Sequence, residues 1–248
     1  MESYLFPFLA SVLAGFINVI AGGGTLITFP ALVLAGVEPI SANITNTVAL
    51  WWGPLAGALS YRNTIKENLS TTIAFAFPSV LGAVFGAFLL IHTPSDTFRK
   101  VIPFLISFAT LLLAFSEFIL RVIRALGLGK NLGLLLQFAT AVYGSYFGAG
   151  IGIMMMSSIV LSGVSNLQVA IALKNFLGFL INFLGAFIFL FSGKVMFDFV
   201  LVMMPGFIIG GYLGAFVAQR LNSKVVKRFV VAWGLFLSLA FFYKEFYA

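Results

Sequence analysis

Apolar residues fall in long blocks along this chain rather than alternating with polar ones. The blocks lie near 5–36, 42–61, 69–91, 98–120, 132–163, 167–192, 196–219 and 226–247 and are almost free of charge. Each is about twenty residues or longer, enough as helix to cross a hydrocarbon core of roughly 30 Å. The pattern predicts an all-α polytopic membrane protein, and the missing alternation excludes an outer-membrane barrel. The first and fifth blocks are the longest, and each carries a glycine cluster near its middle: Gly22, Gly23 and Gly24 in one, Gly148, Gly150 and Gly152 in the other.

Sliding the chain on itself by 128 residues pairs Gly22 with Gly150, Gly24 with Gly152, Ala42 with Ala170, Gly57-Ala58 with Gly185-Ala186 and Gly86-Ala87-Phe88 with Gly214-Ala215-Phe216. Small residues at matching places, where helices would touch, predict two homologous four-segment halves, 1–128 and 129–248, forming one integral membrane domain. Basic residues then test the topology. With eight single crossings, one side collects seven of the Lys and Arg other than Lys174 and the other six. If the two long blocks break at their glycines and return, Arg62, Lys66, Arg121, Arg124, Lys130, Arg220, Lys224, Lys227 and Arg228 share one side, against Arg99, Lys100, Lys194 and Lys244. That nine-to-four bias favours six crossings with two broken hairpins, inverted repeats and both termini outside.

Composition agrees with lipid as the solvent: 61% of the 248 residues are hydrophobic and 8% charged, against about 25% charged in soluble domains. The net charge of +7 sits between the apolar blocks, where topology accounts for it, so no nucleic-acid partner is expected. There is no cysteine, hence no disulfide and no thiolate chemistry. The opening MESYLFPFLASVLAGF lacks the basic region and cleavage pattern of a signal peptide, so its apolar run is expected to be retained.

Broken backbone at membrane depth has to line a cavity or be buried in protein. The helix that follows a break presents free N–H groups and partial positive charge, which suits an anion. The alternative is that the glycines serve only close helix packing. Polar residues gather nearby: Asn18 and Thr25 flank the first cluster, and Asn43, Thr45, Asn46 and Thr47 open the next segment. In the second half Ser145 and Tyr146 flank the break, and Lys174, Asn175 and Asn182 follow, with Lys174 on the counterpart of Asn46. Asn18, Thr25, Ser145 and Tyr146 serve equally well as anion donors or as partners for freed backbone. Lys174 is the basic residue inside an apolar run. Its readings are an interior cation facing an anionic substrate, or a side chain snorkelling to the headgroups.

Glu117 is expected at the interface, paired with Arg121 one turn on. Asp198 opens a segment beside Lys194, and His92 is placed in a loop before Pro94. Trp51 and Trp52 read as interfacial anchors or as a cavity wall. No acid–base pair, metal cluster or triad emerges, so neither an enzyme nor a cofactor is expected.

The stretch AGFINVIAGGGTLITFPALVLAGVEPISANITNTVAL, residues 14–50, resembles the opening signature of the TauE/SafE family, the sulfite and organosulfonate exporters also called the toluene-sulfonate uptake permease family. Residues 143–177, YGSYFGAGIGIMMMSSIVLSGVSNLQVAIALKNFL, resemble that family's second copy, and GGYLGAFVAQRL at 210–221 extends the likeness over essentially the whole chain. The second copy departs from the first at Ile171, which stands where the first copy has Asn43. The resemblance implies a multi-pass permease of a bacterial or archaeal inner membrane, moving a small sulfur-containing anion. The expected substrate-binding set is Asn18, Gly22, Gly23, Gly24, Thr25, Asn43, Thr45, Asn46, Gly148, Gly150, Gly152, Lys174 and Asn175, working by alternating access. A passive anion channel, a non-catalytic subunit of a membrane complex and a homo-oligomer stay open at this point.

Overall fold

The computed structural model describes residues 2–20, 23–126, 129–217 and 223–247. Among the described residues the chain is helical and has no strand. Its elements are α1 (Glu2–Ile20), α2 (Thr25–Leu34), α3 (Pro39–Leu50), α4 (Trp52–Ser60), α5 (Arg62–Glu67), α6 (Leu69–His92), α7 (Ser95–Ala114), α8 (Ser116–Leu126), α9 (Lys130–Tyr146), α10 (Ile151–Leu161), α11 (Leu167–Leu190), α12 (Phe197–Val217) and α13 (Ser223–Phe246). Five of them, α6, α7, α11, α12 and α13, are long and apolar enough to cross a membrane. The apolar rule of soluble proteins is reversed on the surface: Phe77, Phe85, Phe236 and Leu239 face outward, while Thr28, Asn43, Thr45, Asn46, Gln137 and Ser158 are buried. This is a multi-pass membrane protein.

Local sequence explains where the helices start and stop. Pro39 opens α3, with Glu38 accepting from the Ser41 N–H, and Asn166 opens α11, accepting from the N–H groups of Gln168 and Val169. At Trp51 the backbone stays right-handed (φ −62°, ψ −16°), so α3 and α4 run on as one bent rod. Gly36 and Gly163, at φ 88° and 91°, close α2 and α10 by donating to Val33 and Val160. The block 98–120 is not a single segment. It divides at Phe115 into α7 and α8, because Glu117, Arg121 and Arg124 recur at helical spacing and leave α8 without a buried residue. His92 likewise belongs to the last turn of α6 rather than to a loop, its ring nitrogen 2.8 Å from the Phe88 carbonyl.

Packing fixes the direction of each rod. Along α1 and α12, Tyr4 meets Asp198, Ser11 meets Gly206 and Phe16 meets Gly214, so the two run parallel. Along α9 and α6, Gln137 meets Ser79 and Val142 meets Gly86, also parallel. By contrast α7 and α13 are antiparallel, through Thr110 on Gly234 and Phe104 on Phe242. Antiparallel too are the α3–α4 rod and α11, where Thr47 meets Gly185, Pro54 meets Gly178 and Asn175 meets Gly57. The chain folds back between α9 and α10: Ser162, just past α10, donates to the carbonyl of Lys130, which starts α9, over 3.5 Å. Gly133 packs on Ser158 and Ser162 in the same hairpin. One end of the bundle therefore carries Arg62, Lys66, Arg121, Arg124, Lys130, Lys227 and Arg228, and the other Arg99, Lys100, Lys194 and Lys244.

Helices α3 and α6 begin at 39 and 69, and α11 and α12 begin at 167 and 197, each 128 residues later. The uniform spacing expected from the sequence does not extend through the hairpins. There α2 begins at 25 and α10 at 151, 126 residues apart, because α10 and the link after it are each one residue longer. Gly24 and Gly150, rather than Gly24 and Gly152, hold the equivalent place just before a helix.

Close glycine contacts make this packing specific. A Cβ on Gly210 would collide with the Val12 carbonyl, whereas one on Gly211 meets nothing within 4 Å. Gly210→Val is expected to destabilise the protein by about 1–3 kcal/mol through overpacking. Gly211→Ala is expected to leave stability within about 0.5 kcal/mol, both read from thermal unfolding in detergent.

Candidate functional site

Each hairpin has a tip where helical geometry is given up. The second tip is described throughout: α9 stops at Tyr146, Gly148 and Gly150 adopt φ 84° and 76°, and α10 starts at Ile151. Only glycine takes these left-handed values without strain. In the first hairpin Gly23 has φ 93° and Gly24 precedes Thr25, while Gly22 lies outside the described residues. Neither α2 nor α10 has a side chain capping its N-terminus, in contrast to α3 and α11. In α2 the N–H groups of Gly24, Leu26 and Ile27 are taken by Asn18 Oδ1 and by the carbonyls of Gly23 and Gly24, and in α10 the Ile153 N–H is taken by Gly150; among the described residues the Ile151 and Gly152 N–H groups that open α10 have no partner.

The two tips differ in how they are held. Asn18 turns back on its own break, its Oδ1 accepting from the Gly24 N–H at 2.7 Å. A Cβ on Gly24 would lie 2.7 Å from the Ala14 carbonyl, so the first tip is closed tightly on itself. Thr25 is buried in the opening turn of α2. The second tip is held from the other half: Asn43 of α3 donates its Nδ2 to the Tyr146 carbonyl at 2.7 Å. Phe29 of α2 meets Phe147 edge to face at 5.5 Å. Ile171, 128 residues after Asn43, has no donor in its side chain, and among the described residues nothing on α11 makes a bond of this kind to the first tip.

The remaining candidates separate into two groups on either side of the second tip. On one side lie Asn43, Asn46 and Ser145, all buried. Asn43 Oδ1, Asn46 Oδ1 and Ser145 Oγ have no hydrogen-bond partner. Ser145 and Thr47 both approach Gly185 of α11. On the other side lies Lys174, whose Cδ is 3.9 Å from the Cβ position of Gly152 in the first turn of α10. The outer end of α10, at Leu161, is nine residues away, about 13–14 Å at 1.5 Å per residue. Lys174 therefore reaches toward the tip and not toward the headgroups, against the snorkelling alternative. Among the described residues it has no hydrogen-bond or ion-pair partner. Thr45 and Asn175 are engaged elsewhere. Thr45 Oγ1 accepts from the Met196 N–H at the start of α12, and Asn175 packs on Gly57.

Residues 7–241 match the family model described as "Sulfite exporter TauE/SafE". The chain belongs to the TauE/SafE family. It is 32% identical over 250 residues to a probable membrane transporter protein, ORF9, of Sinorhizobium sp, covering 94% of this chain and 90% of that one. It is 30% identical over 240 residues to a probable membrane transporter protein of Haemophilus influenzae, covering 96% and 94%. It is 26% identical over 237 residues to the probable membrane transporter protein YfcA of Escherichia coli K12, covering 95% and 88%. No solved structure matches. As a TauE/SafE member the chain is a membrane transporter, and membership in a transporter family speaks against an enzyme.

Two sequence expectations change in detail. Glu117 is exposed as expected of an interfacial residue, but its partner is Lys227 of α13 at 3.6 Å rather than Arg121. Trp51 and Trp52 stack at 4.0 Å, and Trp51 packs edge to face on Phe183, tying the bend of the α3–α4 rod to α11. Sequence reading missed Gln137, whose amide donates to Ser79 and accepts from Ser158, joining α6, α9 and α10. Its signal was a lone amide inside an apolar block.

Asn43→Leu would leave the Tyr146 carbonyl without its donor. It is expected to cost about 1–3 kcal/mol, measured as a lowered thermal midpoint in detergent. An unchanged midpoint would show that the second tip does not depend on this bond.

Proposed function

We propose that this TauE/SafE protein is a secondary carrier for a small oxyanion, sulfite or a short organosulfonate, in a bacterial or archaeal inner membrane. In this reading residues 1–128 and 129–248 are homologous halves, each with a non-spanning broken hairpin and three net crossings. The crossings are the α3–α4 rod, α6 and α7, and then α11, α12 and α13. An odd number per half inverts the second relative to the first. The end of the bundle richer in Lys and Arg faces the cytoplasm, and both ends of the chain face outward.

The observation that carries the proposal is Lys174 set beside Gly152 in the uncapped first turn of α10. A lysine stem beside the Ile151 and Gly152 N–H groups that open α10 is favourable to an anion and unfavourable to a cation. Desolvating a lysine inside a bilayer is expensive unless it faces a partner, and no carboxylate lies within ion-pair distance of Lys174 among the described residues. Asn43, Asn46 and Ser145 on the far side of the same tip, with Gly148 and Gly150 between, offer further polar groups to a bound oxyanion. Exposing these two groups of residues in turn, as the halves rock about the tips, would give alternating access. The first tip, with Asn18, Gly23, Gly24 and Thr25, is the structural counterpart in this scheme rather than the principal anion site.

The test is uptake of labelled sulfite and sulfoacetate into proteoliposomes. Saturable uptake with counterflow is expected, which a passive channel would not show. Lys174→Met is expected to lower transport at least tenfold while the protein stays monodisperse, and Lys174→Arg to retain part of it. Wild-type rates in Lys174→Met would overturn the site.

A further inference from the structure

The access route to this site can be traced on the Lys- and Arg-rich end of the bundle, an inference that rests on the site just proposed. A cavity of about 470 Å³ opens there between α8, α10 and the start of α11. Its walls include Ile123 and Arg124 of α8, Met156 and Val160 of α10, Ser162 and Ser165 of the following link, and Ala170 of α11. Arg124 is the only charged side chain among the lining residues and is exposed at the rim. Arginine keeps its charge at every physiological pH and presents a planar fork of donors to an oxyanion.

Helical spacing connects the inner wall to the site. Ala170 stands four residues before Lys174 on α11, and Met156 four residues after Gly152 on α10. Residues four apart share a helix face. The pair lining the cavity floor therefore lies one turn below the pair that flanks the proposed anion. Met156 is half-buried there, an unbranched and flexible side chain of the kind that can yield to a passing solute. Helix α8 carries no residue of the core, and its charged groups, Glu117, Arg121 and Arg124, belong to the end of the bundle that faces water. We propose that this cavity is the cytoplasmic vestibule of the transporter: Arg124 draws a small oxyanion to its mouth, and Met156 forms the constriction between the vestibule and Lys174.

The chain has no cysteine, so single cysteines report without background. Val160→Cys, at a half-buried position of the cavity wall, and, as a lipid-facing control, Phe236→Cys would be reconstituted in phosphatidylcholine vesicles. They would be treated from either side with membrane-impermeant methanethiosulfonates, one anionic (sulfonatoethyl) and one cationic (trimethylammonium-ethyl). Val160→Cys is expected to react only from the side that bears Arg124. The anionic reagent is expected to gain over the cationic one, and adding Arg124→Gln to cut that ratio about fivefold, as removal of one nearby charge in a partly screened site should. Phe236→Cys should not react. Reaction of Val160→Cys from neither side, or a reagent ratio indifferent to Arg124→Gln, would overturn the proposal. So would loss of reactivity when phosphatidylglycerol replaces phosphatidylcholine, because the cavity would then hold a lipid phosphate. The labelling needs neither the transported substrate nor Lys174. An intact reagent preference with unaffected transport in Lys174→Met would therefore sink the carrier site and spare the vestibule, and the opposite result would do the reverse.

Discussion

A backbone N–H that leaves a helix inside a bilayer finds no water, and an unpaired one facing hydrocarbon costs several kcal/mol. The chain nevertheless gives up helical geometry at two places far from its ends. Each tip is consequently surrounded by protein. The first is covered by Asn18 of its own helix, and the second by Asn43 and Phe29 of the other half. The rest of the bundle can be understood as the wall that this requirement demands. The α3–α4 rod and α11 cross beside the tips, α7 closes behind Gly150 through Ala109, and α13 closes behind Gly23 through Val230.

What encloses the tips also makes them different from one another. The first is closed over a glycine with no room for a methyl group. The second is joined to its neighbours by polar links, Asn43 to Tyr146 and Gln137 to Ser79 and Ser158, with three oxygens on Asn43, Asn46 and Ser145 left unpaired. Asparagine stands at 43 and 46, whereas isoleucine stands at 171 and lysine at 174, so that of these four positions only the one beside the second tip is charged.

Much of the bundle was legible in the residues. Block length located the long helices, since nothing but helix satisfies twenty apolar residues in lipid. Charge distribution located the ends, since Lys and Arg stay in water. Two things were not legible. Spacing by glycine identity placed Gly152 opposite Gly24, yet the helix starts put Gly150 there, because an added residue in α10 and another in the link slide the register without leaving a mark in composition. Partnership was also hidden. Glu117 reads locally as a partner for Arg121 four residues on, but α13 brings Lys227 to it from across the bundle. The amide of Gln137 looked unremarkable beside Lys174 until α6 and α10 supplied both of its partners. Local spacing cannot report which distant helix arrives, and the site is made almost wholly of such arrivals.

The pairing of α1 with α12 and of α9 with α6 has a consequence for how the protein is made. Each half lends its hairpin to a helix of the other, so neither half closes its own surface. Ser11 must wait for Gly206, nearly 200 residues later in synthesis, and at about 5–20 residues per second that is roughly 10–40 s. During that interval the nascent α1 holds glycine-matched backbone with nothing packed against it. The insertion machinery, rather than the finished fold, has to shelter the first hairpin until α12 emerges.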